Sequence, residues 1–350
     1  MAPLNPNLHD QTAARRPTPR SADDYVRGIL DGDRVTLSQA ITLLESTRPD
    51  HRDTARSVVE QCLPHSGDSI RVAVTGVPGV GKSTFIETLG QRLVAEGHRL
   101  AVLTVDPSSE RSKGSILGDK TRMGTLAAEE RAFIRPSPTT GALGGVAPKT
   151  REAILLCEAA GYETVFVETV GVGQSEISVR SMVDVFLLLA LAGAGDELQG
   201  IKRGIIEVAD AIAITKADGE NRERAETARA AYENALQLLS TADSGWTPPV
   251  LTCSSQTGDG IDAVWDAVER YRAAMQETGA FEEKRREQAR HWMHETIKRR
   301  LQSDFFSDPD VDAARPEIET AVQNGTLSSV AAAERLLAVY QHTAPNHPDG

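Results

Sequence analysis

A glycine-rich segment at residues 76–83 constrains the fold of this chain more than any other feature. It reads Gly-Val-Pro-Gly-Val-Gly-Lys-Ser and fills every fixed position of the phosphate-binding pattern G-x-x-x-x-G-K-[ST]. An apolar run precedes it at 70–74 and a helix-like stretch follows it at 84–96. Backbone N–H groups and the helix dipole favour phosphate at such a strand-to-helix junction. The segment therefore predicts a bound nucleoside triphosphate.

Two side chains within this segment have predicted roles. Lys82 is placed to reach the β and γ phosphates, and the Ser83 hydroxyl is placed to hold Mg²⁺.

Composition is that of an ordinary globular chain and excludes several classes of partner. Of 350 residues, 40% are hydrophobic and 25% charged, and the net charge of −12 disfavours nucleic acid and basic membrane docking. No apolar run approaches the roughly 20 residues that span a bilayer, and residues 1–22 lack a signal-peptide core. Cys62, Cys157 and Cys253 are widely separated, which predicts reduced core side chains. We expect a cytoplasmic protein that binds neither nucleic acid nor membrane.

The pattern of apolar segments divides the chain into three predicted parts. Residues 1–66 comprise a disordered start and a helical cap with two helix-like stretches, and residues 67–278 alternate apolar strands with helices. Such alternation is typical of a mostly parallel sheet covered by helices on both faces, which with the phosphate loop indicates an α/β P-loop NTPase. Residues 279–350 are predicted to form a C-terminal arm and tail, with a charged helix at 281–301 and one apolar helix around 331–339.

The base of the nucleotide is predicted from Thr215-Lys216-Ala217-Asp218, which follows an apolar strand. This segment matches the Lys and Asp of the guanine-reading N-K-x-D element, with Thr215 in place of Asn. The Asp218 carboxylate can accept hydrogen bonds from guanine N1–H and N2–H, whereas adenine has a lone pair at N1. Ser254 and Ser255 follow a later strand, where GTPases place a loop whose backbone N–H meets guanine O6. The sequence predicts GTP and GDP as ligands.

Acidic residues at two strand ends are candidates for holding the metal. Asp106 and Glu168 each follow an apolar strand, and together with Ser83 they supply the oxygen ligands that Mg²⁺ prefers. Asp119 is a third candidate carboxylate for the metal. An equal alternative is that Asp119 has only a structural role in a helix or turn. Gly171 lies three residues beyond Glu168, as in the D-x-x-G element of GTPases, and its N–H could sense the γ phosphate.

Five longer segments resemble the methylmalonyl-CoA mutase-associated GTPases, the MeaB/ArgK family. They lie at residues 105–109, 114–123, 133–138, 167–176 and 193–202, and the resemblance extends over roughly residues 33–301. It implies a homodimeric GTPase that chaperones an adenosylcobalamin-dependent acyl-CoA mutase by gating cofactor delivery and protecting or reactivating the mutase.

The resemblance also implies roles for individual residues. It implies a switch loop at Asp196–Lys202, and a dimerisation arm in the C-terminal part. For GTP it implies contacts by Gly79, Val80, Gly81, Lys82, Ser83 and Thr84. For the metal it implies Ser83, Asp106, Asp119 and Glu168. For guanine it implies Lys216, Asp218 and Ser254.

Three alternatives stay open at the level of sequence. A metal-inserting metallochaperone GTPase shares the general fold but would be expected to carry a histidine-rich or paired-cysteine site. A P-loop small-molecule kinase would use the same phosphate loop, although Lys216 and Asp218 argue against it. A noncatalytic GTP-binding switch differs from a hydrolysing chaperone only in turnover.

Overall fold

Seven strands between residues 70 and 252 form one parallel sheet. The computed structural model describes residues 20–46, 48–105, 123–136, 146–169, 175–192, 203–238 and 245–343. Within them the strand order is β3-β2-β4-β1-β5-β6-β7, and every neighbouring pair is parallel. The strands are β1 (Ile70–Gly76), β2 (Leu100–Val105), β3 (Ala132–Arg135), β4 (Thr164–Thr169), β5 (Val185–Leu191), β6 (Ala211–Thr215) and β7 (Val250–Thr252).

The described residues also contain thirteen α-helices. They are α1 (Ala22–Leu30), α2 (Arg34–Glu45), α3 (Pro49–Cys62), α4 (Lys82–Ala95), α5 (Gly124–Ala128), α6 (Val146–Ala159), α7 (Ser175–Arg180), α8 (Arg203–Glu207), α9 (Arg222–Gln237), α10 (Ile261–Glu277), α11 (Ala280–Phe306), α12 (Pro309–Gln323) and α13 (Ser329–Thr343). None of these helices has the length and apolar character needed to cross a membrane.

Apolar side chains on both faces of the sheet are buried in a hydrophobic core. In β1, Val72 and Val74 join a core cluster with Phe85 of α4 and Val264 of α10, whereas the buried Ala73 between them points to the opposite face. The strands β2, β4 and β6 are buried along their whole length, as expected of a sheet covered on both faces. The predicted P-loop NTPase fold, with a parallel sheet covered by helices, is confirmed.

The N-terminal cap contains three helices, where the sequence predicted two. Helix α3 has Pro49 in its first turn, where a backbone N–H would have no partner within the helix, so proline is tolerated there. Helix α1 starts with a capping box in which the Ser21 hydroxyl accepts from Asp24 N at 3.2 Å. Helices α2 and α3 pack against α6, so this cap lies on the sheet's helical layer.

The chain divides by its contacts into two compact units, Met1–Phe281 and Glu282–Gly350. The second unit holds α12, a helix that the sequence analysis did not predict. This helix buries Val311 and has Pro316 in its interior, so its apolar pattern is weak. The sequence nevertheless marks the N-terminus of this helix with an N-cap residue. The Asp308 carboxylate accepts from Asp310 N at 3.0 Å and from Val311 N at 3.1 Å. The predicted three-part division of the chain stays a prediction.

Candidate nucleotide-binding site

The phosphate loop lies between the central strand β1 and the N-terminus of α4. Gly76 closes β1 at a point where a Cβ atom would lie 2.3 Å from the carbonyl oxygen of Leu189 on β5, so a side chain does not fit. Gly81 immediately precedes α4 with φ of 100°, a conformation that favours glycine. The N–H groups of the first helical turn therefore face the carboxyl edge of the sheet, where anions are favoured.

Lys82 is fixed against the loop that precedes it. Its ammonium group donates to the carbonyl oxygens of Gly76 at 2.8 Å and Val77 at 3.2 Å, and the residue is 8% exposed. The positive charge therefore lies inside the turn in which phosphate is expected.

Two members of the predicted magnesium set meet in the structure. Glu168 on β4 is paired in register with Val74 of the adjacent β1, which places its carboxylate beside the start of α4. There the Ser83 hydroxyl donates to Glu168 Oε1 at 2.7 Å. Hydroxyl and carboxylate oxygens suit Mg²⁺. No three His, Cys, Asp or Glu side chains form a metal-binding group within the described residues.

Several predicted residues fall outside the part of the chain that the structure describes. They are Asp106, Asp119, Gly171 and the segment Asp196–Lys202. Their predicted roles stay predictions.

The residues predicted to recognise the base lie together after β6 and β7. The Ser254 hydroxyl donates to the Asp218 carboxylate, and the same hydroxyl oxygen accepts from Gln256 N and Thr257 N, each at 3.2 Å. Ser254 is fully buried. Its side chain therefore orients the Asp218 carboxylate, a role that the sequence analysis did not foresee.

The backbone of the segment Ser254–Gly260, here called the base loop, uses most of its own N–H groups in hydrogen bonds within the loop. Ser254 N donates to Asp259 O at 2.8 Å, Gly258 N donates to Ser254 O at 2.9 Å, and the two amides between Ser255 and Gly258 are used by the Ser254 hydroxyl. In the described residues no acceptor is found for Ser255 N or for Gly260 N. Ser255 belongs to the serine pair that the sequence analysis placed near guanine O6, so its N–H is the candidate donor, and this contact stays a prediction.

Thr215 connects the base-reading segment to the phosphate loop. Its buried hydroxyl lies 2.7 Å from the carbonyl oxygen of Val80 and 3.2 Å from that of Ala190. The replacement of Asn by Thr thus preserves a link between the two halves of the site.

Asn221 is a supporting residue that sequence reasoning missed. Its amide nitrogen donates to Lys216 O at 2.7 Å, and Lys216 has φ of 57°, in the left-handed region. Lys216 is the sole non-glycine residue in the described ranges with positive φ, and such backbone persists only where neighbours hold it. A signal was available, because Asn in the turn before a helix commonly bonds nearby backbone.

Cys253 borders the base loop but is not a reactive group. Burial raises the pKa of its thiol to about 12, so the thiol is protonated at neutral pH. The cysteines Cys62, Cys157 and Cys253 are all buried and free, as the sequence analysis expected.

Comparison with known proteins identifies the family. The family model for the methylmalonyl Co-A mutase-associated GTPase MeaB matches residues 37–310. The chain belongs to this family. GTPase ArgK of Escherichia coli strain K12 is 46% identical over 305 residues, covering 87% of this chain and 92% of that protein. The methylmalonic aciduria type A homolog of Mus musculus, named as mitochondrial, is 45% identical, covering 92% of this chain and 80% of that protein.

A solved structure supports the same assignment. The structure described as LAO/AO transport system kinase has 39% sequence identity and a TM-score of 0.73, covering 91% of this chain and 97% of that one. Because the family model and the Escherichia coli relative are named as GTPases, this MeaB-family chain binds guanine nucleotide and hydrolyses GTP. The predicted family and enzyme class are confirmed.

Proposed function

We propose that this MeaB-family GTPase is a chaperone of an adenosylcobalamin-dependent acyl-CoA mutase, with methylmalonyl-CoA mutase as the first candidate. One observation carries the proposal: the family model of a mutase-associated GTPase matches residues 37–310, which include the described parts of the nucleotide site. The name of the mouse relative, a methylmalonic aciduria type A homolog, points to the same metabolic step. The chaperone would gate delivery of the cofactor and protect or reactivate the mutase.

The site supports a division of labour among its residues during hydrolysis. Lys82 would bind the β and γ phosphates, while the amides of residues 79–84 surround them. Ser83 and Glu168, with Asp106 and Asp119, would hold Mg²⁺, which supplies positive charge to neutralise the phosphates. The N–H of Gly171 would sense the γ phosphate.

Guanine recognition would use two neighbouring segments. The Asp218 carboxylate, oriented by Ser254, would accept from guanine N1–H and N2–H, and Ser255 N would donate to O6. Lys216, held by Asn221, would cover the base with its aliphatic chain.

Hydrolysis is expected to be slow in the isolated protein and faster with the mutase. We expect turnover alone to be well below the roughly 1–100 s⁻¹ of typical kinases, because no arginine or glutamine in the described site is placed to stabilise the transition state. Phosphate release should be measured with and without a purified mutase, with a heat-inactivated mutase as the control. Stimulation of phosphate release by about tenfold or more would support the proposal that the mutase completes the catalytic site. Equal rates with both mutase preparations would contradict the proposal.

The solved structure with 39% sequence identity favours one second candidate, a phosphotransferase. That structure is described as a transport system kinase and has 39% sequence identity to this chain. A kinase would move the γ phosphate of the nucleotide to an acceptor other than water. Incubation with γ-labelled GTP separates the two candidates, because a GTPase releases all label as inorganic phosphate and a kinase leaves part of it on a protein or small molecule.

We also propose that the protein is a homodimer joined through α11. Met293, Ile297 and Leu301 recur every four residues on one side of this helix and are 53%, 48% and 59% exposed. Such a row of large apolar side chains is typical of a helix that packs on another chain. The family resemblance implies a dimerisation arm in the same part of the chain.

Introducing a charge into this row is expected to give a monomer. Ile297→Glu would place a carboxylate in an apolar interface, where burial of an unpaired charge costs several kcal/mol, about 3 or more. Light scattering after gel filtration reports the mass. Val330→Glu is the matched control, because Val330 is 67% exposed on another helix, α13. A wild-type chain that already runs as a monomer, or an Ile297→Glu variant that stays dimeric, would count against α11 as the interface.

The cellular compartment that we propose is the cytoplasm. Three free, buried cysteines are consistent with reducing surroundings. Fractionation of the source cells, followed by detection of the protein with a specific antibody, tests this location.

A further inference from the structure

The base loop is attached to α4, the helix that begins at the phosphate loop. Two residues one helical turn apart on α4, Thr88 and Arg92, have their side chains on the base loop. Neither belongs to a nucleotide-binding motif. Both side chains donate to backbone carbonyl groups of the base loop, so both fix the conformation of the main chain of this loop.

Arg92 makes the stronger of the two attachments. Its Nη2 donates to Gly258 O at 2.8 Å, and its Nη1 forms an ion pair with the Asp262 carboxylate near the start of α10. A guanidinium group presents its donors in a fixed planar arrangement, so one side chain can hold two acceptors in a defined relative position. Arg92 therefore joins α4, the base loop and α10.

Thr88 acts directly beside the amide that is assigned to the base. Its hydroxyl lies 3.0 Å from Ser255 O and also 3.0 Å from Thr84 O, so its single proton is shared between the loop and its own helix. The carbonyl that it holds belongs to Ser255, whose N–H is left without an acceptor in the described loop.

We propose that Arg92 and Thr88 are positioning residues for guanine recognition, which hold the Ser255 N–H where guanine O6 will lie. This inference rests on the proposed contact between the base loop and O6. A hydrogen-bond donor discriminates between ligands only when its direction is fixed before the ligand arrives. Since α4 also begins at the phosphate loop, the phosphates and the base are located by one helix.

Nucleotide analogues can test this role separately from general stability. In 6-thioguanosine diphosphate, sulfur replaces O6 while N1–H and the N2 amino group remain, so it reports contact with the base loop. Inosine diphosphate lacks the N2 amino group alone, so it reports contact with Asp218. The dissociation constants of GDP and of both analogues should be measured by calorimetry for the wild-type protein and each variant.

Arg92→Ala is expected to weaken GDP binding about tenfold, the effect of losing about 1.4 kcal/mol. Binding of 6-thioguanosine diphosphate should change little, so the preference for GDP over this analogue falls towards one. The preference for GDP over inosine diphosphate should stay within about twofold of wild type, because the Ser254 hydroxyl keeps its own partners. Thr88→Val should show the same pattern with a smaller loss.

Matched controls lie on other helices. The Thr227 hydroxyl donates to Glu223 O within α9, as that of Thr88 does to Thr84 O, but it contacts no loop in the part of the chain that the structure describes. Arg270 donates to Asp266 O within α10. Thr227→Val and Arg270→Ala should leave all three dissociation constants unchanged. If Arg92→Ala does not fold, Arg92→Lys and Thr88→Val supply the test.

Three results would overturn the inference, and the first of them also removes the assignment of the base loop to guanine O6. If the wild-type protein binds GDP and 6-thioguanosine diphosphate equally, the assignment of the base loop to O6 fails together with the inference. If wild type discriminates and Arg92→Ala and Thr88→Val keep the full preference, only the positioning role fails. An equal loss of affinity for all three nucleotides would show a general structural role instead.

Discussion

Replacing Asp218 by asparagine is expected to lower the affinity for GDP by about three orders of magnitude and to create affinity for xanthosine diphosphate. The carboxylate of Asp218 is held by the Ser254 hydroxyl, and it offers two acceptor oxygens to guanine N1–H and N2–H. An asparagine amide keeps one acceptor but turns an NH₂ group towards the N2 amino group of guanine, so two donors meet. Xanthine has an oxygen at that position and restores the pairing.

Equilibrium titration with both nucleotides tests this exchange. Asp266→Asn is a suitable control, because it removes one carboxylate from an exposed position on α10. The exchange is the decisive feature, since a variant that merely loses its fold binds neither base. Unchanged preference for guanine in Asp218→Asn would mean that the base is read by other groups, and the assignment of residues 215–218 would be wrong.

The strands were predictable because a buried parallel strand leaves a short, continuous apolar run in the sequence. Each such run, from Ile70–Gly76 to Val250–Thr252, is a strand in the structure. The place of the candidate site residues was predictable for the same reason, since carboxyl ends of parallel strands share one edge. Glu168 lies on β4 and Asp218 follows the end of β6, two strands that are not consecutive in the chain, yet both residues lie at this edge.

The contacts between these segments could not be predicted, because they depend on how close separate elements come in space. The link from Thr215 to Val80 O spans 135 residues, and the link from Arg92 to Gly258 O spans 166. Threonine and arginine occur at many helix and strand positions without such partners. Helix α12 was missed for a different reason: its few buried apolar side chains gave little periodicity, although Asp308 marked its start.

Replacing Lys82 by methionine is expected to reduce GTP affinity about 100- to 1,000-fold and to abolish measurable hydrolysis. The ammonium group of Lys82 lies inside the phosphate loop, where Gly76 O and Val77 O hold it at 2.8 and 3.2 Å. Charge-assisted hydrogen bonds to phosphate contribute about 1.5–3 kcal/mol each, so losing two of them accounts for the loss of affinity. Loss of a positive charge that faces the developing charge of the transition state lowers turnover by a further factor of about 10² to 10³.

Methionine is the informative substitution because its unbranched chain fills the buried space that the aliphatic part of Lys82 occupies. A change in binding can then be assigned to the lost charge and its hydrogen bonds, and circular dichroism of the nucleotide-free variant checks that the fold is kept. Lys149→Met on α6 removes one exposed charge and should leave binding unchanged. If Lys82→Met is folded and still hydrolyses GTP at the wild-type rate, the phosphates must lie elsewhere. The segment at 76–83 would then be a structural turn, and the guanine assignment at Asp218 would lose the phosphate site that positions its base.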